Sequence, residues 1–157
     1  MSSLNAFLVA VEMAERKRDE ARQVLQDAQR ARQASQAQLQ QLEGYALETQ
    51  GRWGAQADTT VKPEVMYHHY QFMDRLAHAV GLQTGVVGDQ AGRVEHATRA
   101  VLAAELRLAA LKKVVEKRRS EMDKLQARRD QKQTDERAAL QFGKENATQG
   151  QQGPQEW

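Results

Sequence analysis

Residues 66–122 read MYHHYQFMDRLAHAVGLQTGVVGDQAGRVEHATRAVLAAELRLAALKKVVEKRRSEM, and this stretch decides the fold. Every seventh residue along it is apolar: Met66, Met73, Val80, Val87, Val94, Val101, Leu108, Val115 and Met122. A second apolar series follows three residues later in the heptads, at Leu76, Ala97, Ala104, Leu111 and Leu125, and polar Gln83 and Gln90 interrupt it. Apolar residues at the first and fourth positions of a seven-residue repeat, a and d, are typical of a left-handed coiled coil. The stretch therefore predicts one long helix with a narrow apolar seam.

The N-terminal third of the chain carries the same repeat. Its a positions include Leu4, Val11, Leu25, Leu39, Ala46 and Trp53, and its d positions include Phe7, Ala14, Ala21, Ala28 and Leu42. Between the two repeats, Gly51 and Gly54 suit a helix C-terminus, and Pro63 suits the first turn of a new helix. The sequence thus predicts a helix over 4–53, a connection over 54–63 and a second helix over 64–142.

A short connection between two such helices favours an antiparallel pair. We therefore expect an all-α fold, a long antiparallel two-helix coiled-coil hairpin over residues 1–142, with the second helix longer than the first. Pairing residues whose numbers add to 115 sets Leu4 opposite Leu111 and Leu39 opposite Leu76, although a shift by one heptad would also keep the layers apolar. In this register the second helix has no partner within the chain beyond Leu111. Residues 143–157, GKENATQGQQGPQEW, lack periodicity and predict a disordered C-terminal tail.

Composition argues against an enzyme. The chain of 157 residues has no Cys, only 40% apolar residues and only 5% aromatic residues, which is too little for a large globular core. Its four His lack the Cys or carboxylate neighbours of a zinc site, and no phosphate-binding loop or catalytic set is present. We expect no enzymatic activity, no metal and no cofactor. No secretory signal or membrane span is recognisable either, so the expected location is cytoplasmic.

The unpaired end of the second helix predicts a partner outside the chain. It carries Val115, Met122 and Leu125 on the seam, and an apolar stripe with no internal partner implies an external one. Segment 112–137 also holds ten Lys or Arg against six Asp or Glu, among them Arg118, Arg119, Arg128 and Arg129. Because acidic residues are mixed in and stacking aromatics are absent, a protein partner is favoured over nucleic acid.

Five of the eight aromatic residues lie near the connection: Tyr45, Trp53, Tyr67, Tyr70 and Phe72. Tyr45 and Phe72 both occupy g positions, and their numbers add to 117, as do those of Gln38 and Ala79. With Leu42 and Leu76 beneath them, these residues form either an interaction hot spot or a thickened seam. Four glycines also share an outer stripe of the second helix, at 81, 85, 88 and 92. They indicate either a softened but continuous helix or a point of bending or close approach.

The sequence resembles the flagellar export protein family FliJ over residues 4 to about 142. The resemblance rests on size, on the unequal hairpin and on three stretches: QLQQLEGYALE at 38–48, YHHYQFMDRLAHAV at 67–80 and RRDQKQTDERAA at 128–139. The aromatic-containing stretches carry its specificity, since coiled coils imitate one another easily.

The resemblance implies a non-enzymatic component of the flagellar type III export apparatus, at the cytoplasmic face of the inner membrane. In this family the end that bears both termini inserts into the hexameric export ATPase ring and promotes its assembly and activity. The family also contacts the cytoplasmic domain of the export-gate protein FlhA and handles export chaperones.

The family's gate-contact pattern maps onto Gln38, Leu42, Tyr45, Phe72, Leu76 and Ala79, and this sequence departs from it at Thr49 and Gln83. For the ATPase ring we expect contacts from Val115, Arg118, Arg119, Met122, Leu125, Arg128 and Arg129. The alternatives are a self-associating structural coiled coil and a helical protein that binds nucleic acid.

Overall fold

The computed structural model describes residues 2–55 and 62–150, and these residues form two helices. Helix α1 spans Ser2–Ala55 and helix α2 spans Pro63–Gly150. The contacts between them run antiparallel, because Arg22 of α1 meets Glu105 of α2 whereas Trp53 meets His69. The predicted all-α antiparallel hairpin with a longer second helix is therefore confirmed. Neither helix contains an apolar window long enough to cross a membrane.

The described helix ends differ from the prediction mainly at the C-terminus. Helix α2 continues to Gly150, eight residues past the expected end at 142. The apolar repeat stops earlier, but that repeat reports packing, and the helix continues without it although Gly143, Asn146, Thr148 and Gly150 are weak helix formers. The rest of the predicted tail, residues 151–157, and most of the predicted connection, residues 56–61, lie outside the described residues.

The chain divides into two compact units. The first unit contains residues 2–11 and 109–150, and the second contains residues 12–55 and 62–108. Each unit combines a part of α1 with a part of α2. Helix α2 is continuous through all four glycines of its outer stripe, and none of the described glycines has a positive φ.

Contacts in the second unit fix the register of the seam. The rings of Trp53 and His69 stack with centroids 4.0 Å apart, and their numbers add to 122. On one flank Arg22 and Glu105 form an ion pair at 3.0 Å with numbers that add to 127, and on the other the Tyr45–Phe72 pair adds to 117. The sums on the two flanks, 117 and 127, lie equally far below and above 122, so facing seam residues have numbers that add to 122. The expected register of 115 is therefore wrong by one heptad.

Side-chain volume explains the observed register. A shift by seven keeps a positions opposite d positions, so the apolar pattern alone cannot select between the two registers. In the observed register Ala14 lies opposite Leu108, and Ala46 lies opposite Leu76, so that each layer combines a small residue with a large one. Ala14, Leu76 and Leu108 are buried, and Ala46 is half-buried. Such alternation fills a seam at even density, whereas the expected register would set two leucines, Leu39 and Leu76, opposite each other.

A polar layer interrupts the seam of the second unit. The Gln83 Nε2 donates hydrogen bonds to the Ser35 carbonyl oxygen at 2.9 Å and to the Gln38 Oε1 at 3.2 Å. Arg32, expected opposite Gln83, lies opposite Gln90 in the observed register, and its buried Nε has no hydrogen-bond partner in the described part of the chain. A polar layer of this kind disfavours a slip, because a shift would break the hydrogen bonds of the Gln83 amide to Ser35 and Gln38.

The first unit shows how far the pairing extends along α2. The Arg118 guanidinium lies 4.9 Å from the centre of the Phe7 ring, and its Nη1 donates to the Ser3 Oγ at 3.3 Å. Val115 is only 7% exposed. Helix α1 therefore accompanies α2 to about residue 120, not only to Leu111 as expected. Every described residue from 116 to 150 is exposed, and at about 1.5 Å per residue the unpaired part, 121–150, extends about 45 Å.

Candidate partner-binding surfaces

The first candidate surface lies in the second unit, and we call it the aromatic patch. Its members are the six residues carried over from the family pattern: Gln38, Leu42, Tyr45, Phe72, Leu76 and Ala79. The Tyr45 and Phe72 rings meet edge to face, with centroids 6.0 Å apart and planes at 86°. Tyr45 is 50% exposed and Phe72 is 40% exposed, so both rings offer area to a partner. The predicted convergence of these two g positions is thus confirmed, and the edge-to-face contact holds both rings in place.

The other patch members lie at different depths. Leu76 is buried, and Leu42 and Ala79 are half-buried, so these three support the rings from below. Gln38 is exposed, and its Oε1 accepts the hydrogen bond from Gln83. This bond orients the amide of Gln38 at the edge of the patch. The arrangement, two aromatic rings on a packed apolar base with a fixed amide beside them, is typical of a protein-binding hot spot.

More exposed side chains surround the connection than the aromatic pattern alone indicated. Leu47, Val65 and Tyr70 are exposed, and Tyr67 accepts a hydrogen bond at its hydroxyl from Gln71 Nε2 at 2.9 Å. Trp53, expected in the core, is half-buried against His69. Val65 shares the g register with Phe72, and that signal could have added it to the candidates.

The second candidate surface is the unpaired end of α2 in the first unit. Met122 and Leu125 are exposed there, as sequence reasoning expected, and so are Leu140 and Phe142, which it missed. The heptad letters could not have found Leu140 and Phe142, because they lie off the a and d positions. Val115 is only 7% exposed, so it offers little area to a partner, and Arg118 is already held by Phe7 and Ser3.

Charge along α2 differs from the expectation. The unpaired part, 121–150, contains six Lys or Arg and six Asp or Glu, so it is balanced. The excess of positive charge lies just before it, in a segment that we call the basic collar: Lys112, Lys113, Lys117, Arg118 and Arg119, with one acid, Glu116. The prediction that the unpaired end of α2 is basic was wrong, because the expected register placed the basic collar in the unpaired part.

An open groove borders the basic collar within the first unit. It has a volume of about 700 Å³, and Leu8, Val11 and Val115 contribute to its lining. Arg119 and Lys124 add positive charge at its rim. Among residues 2–55 and 62–150 there is no group of three His, Cys, Asp or Glu that could hold a metal ion. The arrangement suits contact with another macromolecule through a shallow apolar floor and charged edges.

Comparisons with known proteins agree with the geometry. Residues 4–147 match the family model described as the flagellar FliJ protein. The chain is also similar to the solved structure of a YscO homologue, CT670 from Chlamydia trachomatis, with a TM-score of 0.69 and 19% identity over 94% of this chain and 95% of that chain. This likeness shows a shared fold. No curated protein sequence matches the chain.

Proposed function

Because the chain belongs to the flagellar FliJ protein family, it is a component related to flagellar type III export, and we propose that it links two parts of that machinery without catalysing a reaction. In this proposal the first unit binds the hexameric export ATPase, and the aromatic patch binds the cytoplasmic domain of the export-gate protein FlhA. The observation that carries the proposal is the presence of two different exposed surfaces, one in each unit. On the same family membership we also propose that the chain binds export chaperones and acts at the cytoplasmic face of the inner membrane.

The proposed ATPase surface combines the basic collar with the unpaired part of α2. Exposed Met122 and Leu125 supply apolar contact area, and Arg119, Arg128 and Arg129 supply positive charge along the same stretch. The excess of positive charge in the basic collar, next to an apolar stripe, favours fast and oriented docking into a hole lined by acidic or apolar groups. We leave Val115 out of this surface because it is buried.

Stimulation of the purified export ATPase tests this surface. The triple variant Arg119→Ala, Arg128→Ala, Arg129→Ala should stimulate hydrolysis at least several-fold less than the unmodified chain, because each lost charge weakens a docking contact. The matched control is Arg16→Ala, Arg30→Ala, Arg107→Ala, three exposed arginines of the second unit, and it should stimulate normally. Equal stimulation by both triple variants would remove the arginines from the proposal.

Retention of the gate protein's cytoplasmic domain tests the aromatic patch. Tyr45→Ala with Phe72→Ala removes both exposed rings but leaves buried Leu76 in place, so helicity should persist. We expect binding to fall at least tenfold, because aromatic anchors at the centre of an interface carry much of its free energy. Tyr67→Ala with Tyr70→Ala removes two similarly exposed rings outside the patch and should bind normally. If both double variants bind equally well, the patch is not the gate site.

Two alternatives can be weighed on the same observations. The charge balance of segment 121–150 argues against nucleic-acid binding, which depends on an excess of Lys and Arg. Self-association has support from exposed Met122, Leu125, Leu140 and Phe142. Sedimentation of the purified chain as a monomer at micromolar concentration would dismiss it as the main function.

A further inference from the structure

The two flanks of the seam in the second unit differ in composition. Four facing g pairs form one flank: Val24 with Arg93, Ala31 with Val86, Gln38 with Ala79 and Tyr45 with Phe72. Four facing e pairs form the other: Gln29 with Thr98, Gln36 with Ala91, Glu43 with Thr84 and Gln50 with Ala77. Six of the eight g residues are apolar, against two of the eight e residues. One flank of the hairpin is therefore apolar and the other polar.

The apolar g flank is open on its outer side. Val24 is 59% exposed and Val86 is 41% exposed, in addition to the two rings of the aromatic patch. Flank positions of a two-stranded coiled coil are commonly charged, whereas an apolar stripe as wide as a, d and g is typical of a helix with two neighbours. Among the described residues each helix has only one neighbouring helix, which is the other one of the pair.

A groove lies on the g flank at the end away from the aromatic rings. It has a volume of about 790 Å³, and its lining combines apolar Val24 and Ala31 of α1 and Ala97 of α2 with five polar or charged residues: Asp27, Asp89, Gln90, Arg93 and His96. Gly88 and Gly92 also line the groove, and a Cβ added at either position would meet nothing within 4 Å. The groove and the aromatic patch lie along the same flank of the second unit, with exposed Gln38 between them, and we call the two together the g-flank path.

We propose that this g-flank path binds an amphipathic helix of a partner protein. From Val24 to Tyr45 the path covers 21 residues of rise, about 32 Å, which suits a partner helix of about 20 residues. Three of the four g residues on each side are apolar, and their spacing of seven matches the i, i+3, i+4, i+7 spacing of such a helix, whereas no free sheet edge is available among residues 2–55 and 62–150 for an extended peptide. The inference rests on the proposed function only at its aromatic end, and the Val24 end is independent of it.

Charges at the rims describe the partner helix further. Asp27 and Glu48 are the charged residues at the c positions of α1 along the path, and Glu48 also forms an ion pair with Arg52, so Asp27 is the main negative charge on that rim. On α2, Arg75 and Asp89 occupy c positions and Arg93 occupies the g position opposite Val24, so positive charge exceeds negative charge by one. The partner helix therefore has Lys or Arg along the edge that faces α1 and Asp or Glu along the edge that faces α2.

The test uses a labelled synthetic helix of 21 residues with a Leu and Ala stripe, Lys along one edge and Glu along the other. Fluorescence anisotropy against the full chain should give saturable binding, and a peptide of the same composition with the stripe scrambled should not bind. Val24→Asp with Val86→Asp should weaken binding at least tenfold, because a charge then lies in the apolar path. The matched control, Gln29→Asp with Thr98→Asp on the e flank, adds the same charge and should change binding less than twofold.

Three outcomes would overturn the proposal: no saturable binding, equal binding by the scrambled peptide, or equal loss in the g-flank and e-flank variants. Sedimentation of the chain as a dimer that Val24→Asp with Val86→Asp dissociates would assign the path to a second copy and would also overturn it. Failure of the gate-domain experiment leaves the peptide result standing, and the converse holds, so the two failures are distinguishable.

Discussion

At the scale of single residues, burial separates side chains that the sequence presents as equals. Leu106 and Leu108 are two residues apart in the same helix, yet Leu106 is 63% exposed and Leu108 is 4% exposed. Only Leu108 occupies the seam, opposite Ala14. The hydrophobicity of the two residues is the same, so only their heptad positions predict which one is buried.

This difference predicts the effect of two matched substitutions. Leu108→Ala should lower the free energy of unfolding by about 2–4 kcal/mol, because it removes buried contacts and leaves a cavity between two packed helices. Leu106→Ala should change it by less than about 0.5 kcal/mol, as surface substitutions usually do. Urea unfolding followed by circular dichroism measures both. A comparable loss in the two variants would contradict the assigned seam.

Arg118 shows the limit of residue-level prediction from sequence. Its position in a basic stretch indicated a free charge available to a partner. In the structure its guanidinium lies over the Phe7 ring and donates a hydrogen bond to the Ser3 hydroxyl. That contact depends on where α1 begins relative to α2, and only the register supplies this information.

At the scale of helices, the sequence predicted the elements well and their alignment less well. Helix α1 extends two residues beyond its predicted bounds at each end, and α2 begins one residue earlier than predicted. The strict seven-residue period and the Gly and Pro near the connection carried this success. The register failed because a period of seven is unchanged by a shift of seven. Side-chain volume distinguishes the two registers, because the observed one sets Ala14 opposite Leu108 and Ala97 opposite Leu25.

Disulfide trapping tests the register at this scale. The chain has no cysteine, so any intramolecular disulfide must come from the introduced pair. Ala28→Cys with Val94→Cys lies in one layer of the observed register and should oxidise readily to an intramolecular disulfide, because the Cα atoms of facing a and d residues are close enough for that bond. Ala28→Cys with Val87→Cys belongs to the register of 115 and should remain reduced under the same conditions. A gel shift of the second pair and not the first would restore the expected register.

At the scale of the whole molecule, each unit carries its own exposed surface. The second unit holds the aromatic patch and the apolar g flank, and the first unit holds the basic collar and the unpaired part of α2. The patch could be anticipated from sequence, because Tyr45 and Phe72 share a heptad letter and lie in family-like stretches. The distribution of charge could not, since it depends on which part of α2 is paired with α1. The rest of the g flank was missed because g positions were compared only around Tyr45 and Phe72.

The proposed division of labour makes the two surfaces separable. Segment 121–150 contains no buried residue, so removing it should cost the hairpin little stability. The Tyr45→Ala, Phe72→Ala variant should keep the first unit intact, because both substituted residues lie in the second. A chain that ends at Ser120 therefore removes the unpaired part of the first surface and keeps the basic collar, whereas this double variant removes the two rings of the second surface.

The hydrolysis rate of the purified export ATPase in the presence of these chains tests the central claim most directly. The full chain and the Tyr45→Ala, Phe72→Ala variant should stimulate hydrolysis to the same extent. The chain that ends at Ser120 should fail to stimulate it while keeping the helical circular dichroism per residue of the full chain. Full stimulation by the shortened chain, or loss of stimulation in the aromatic variant, would contradict the account.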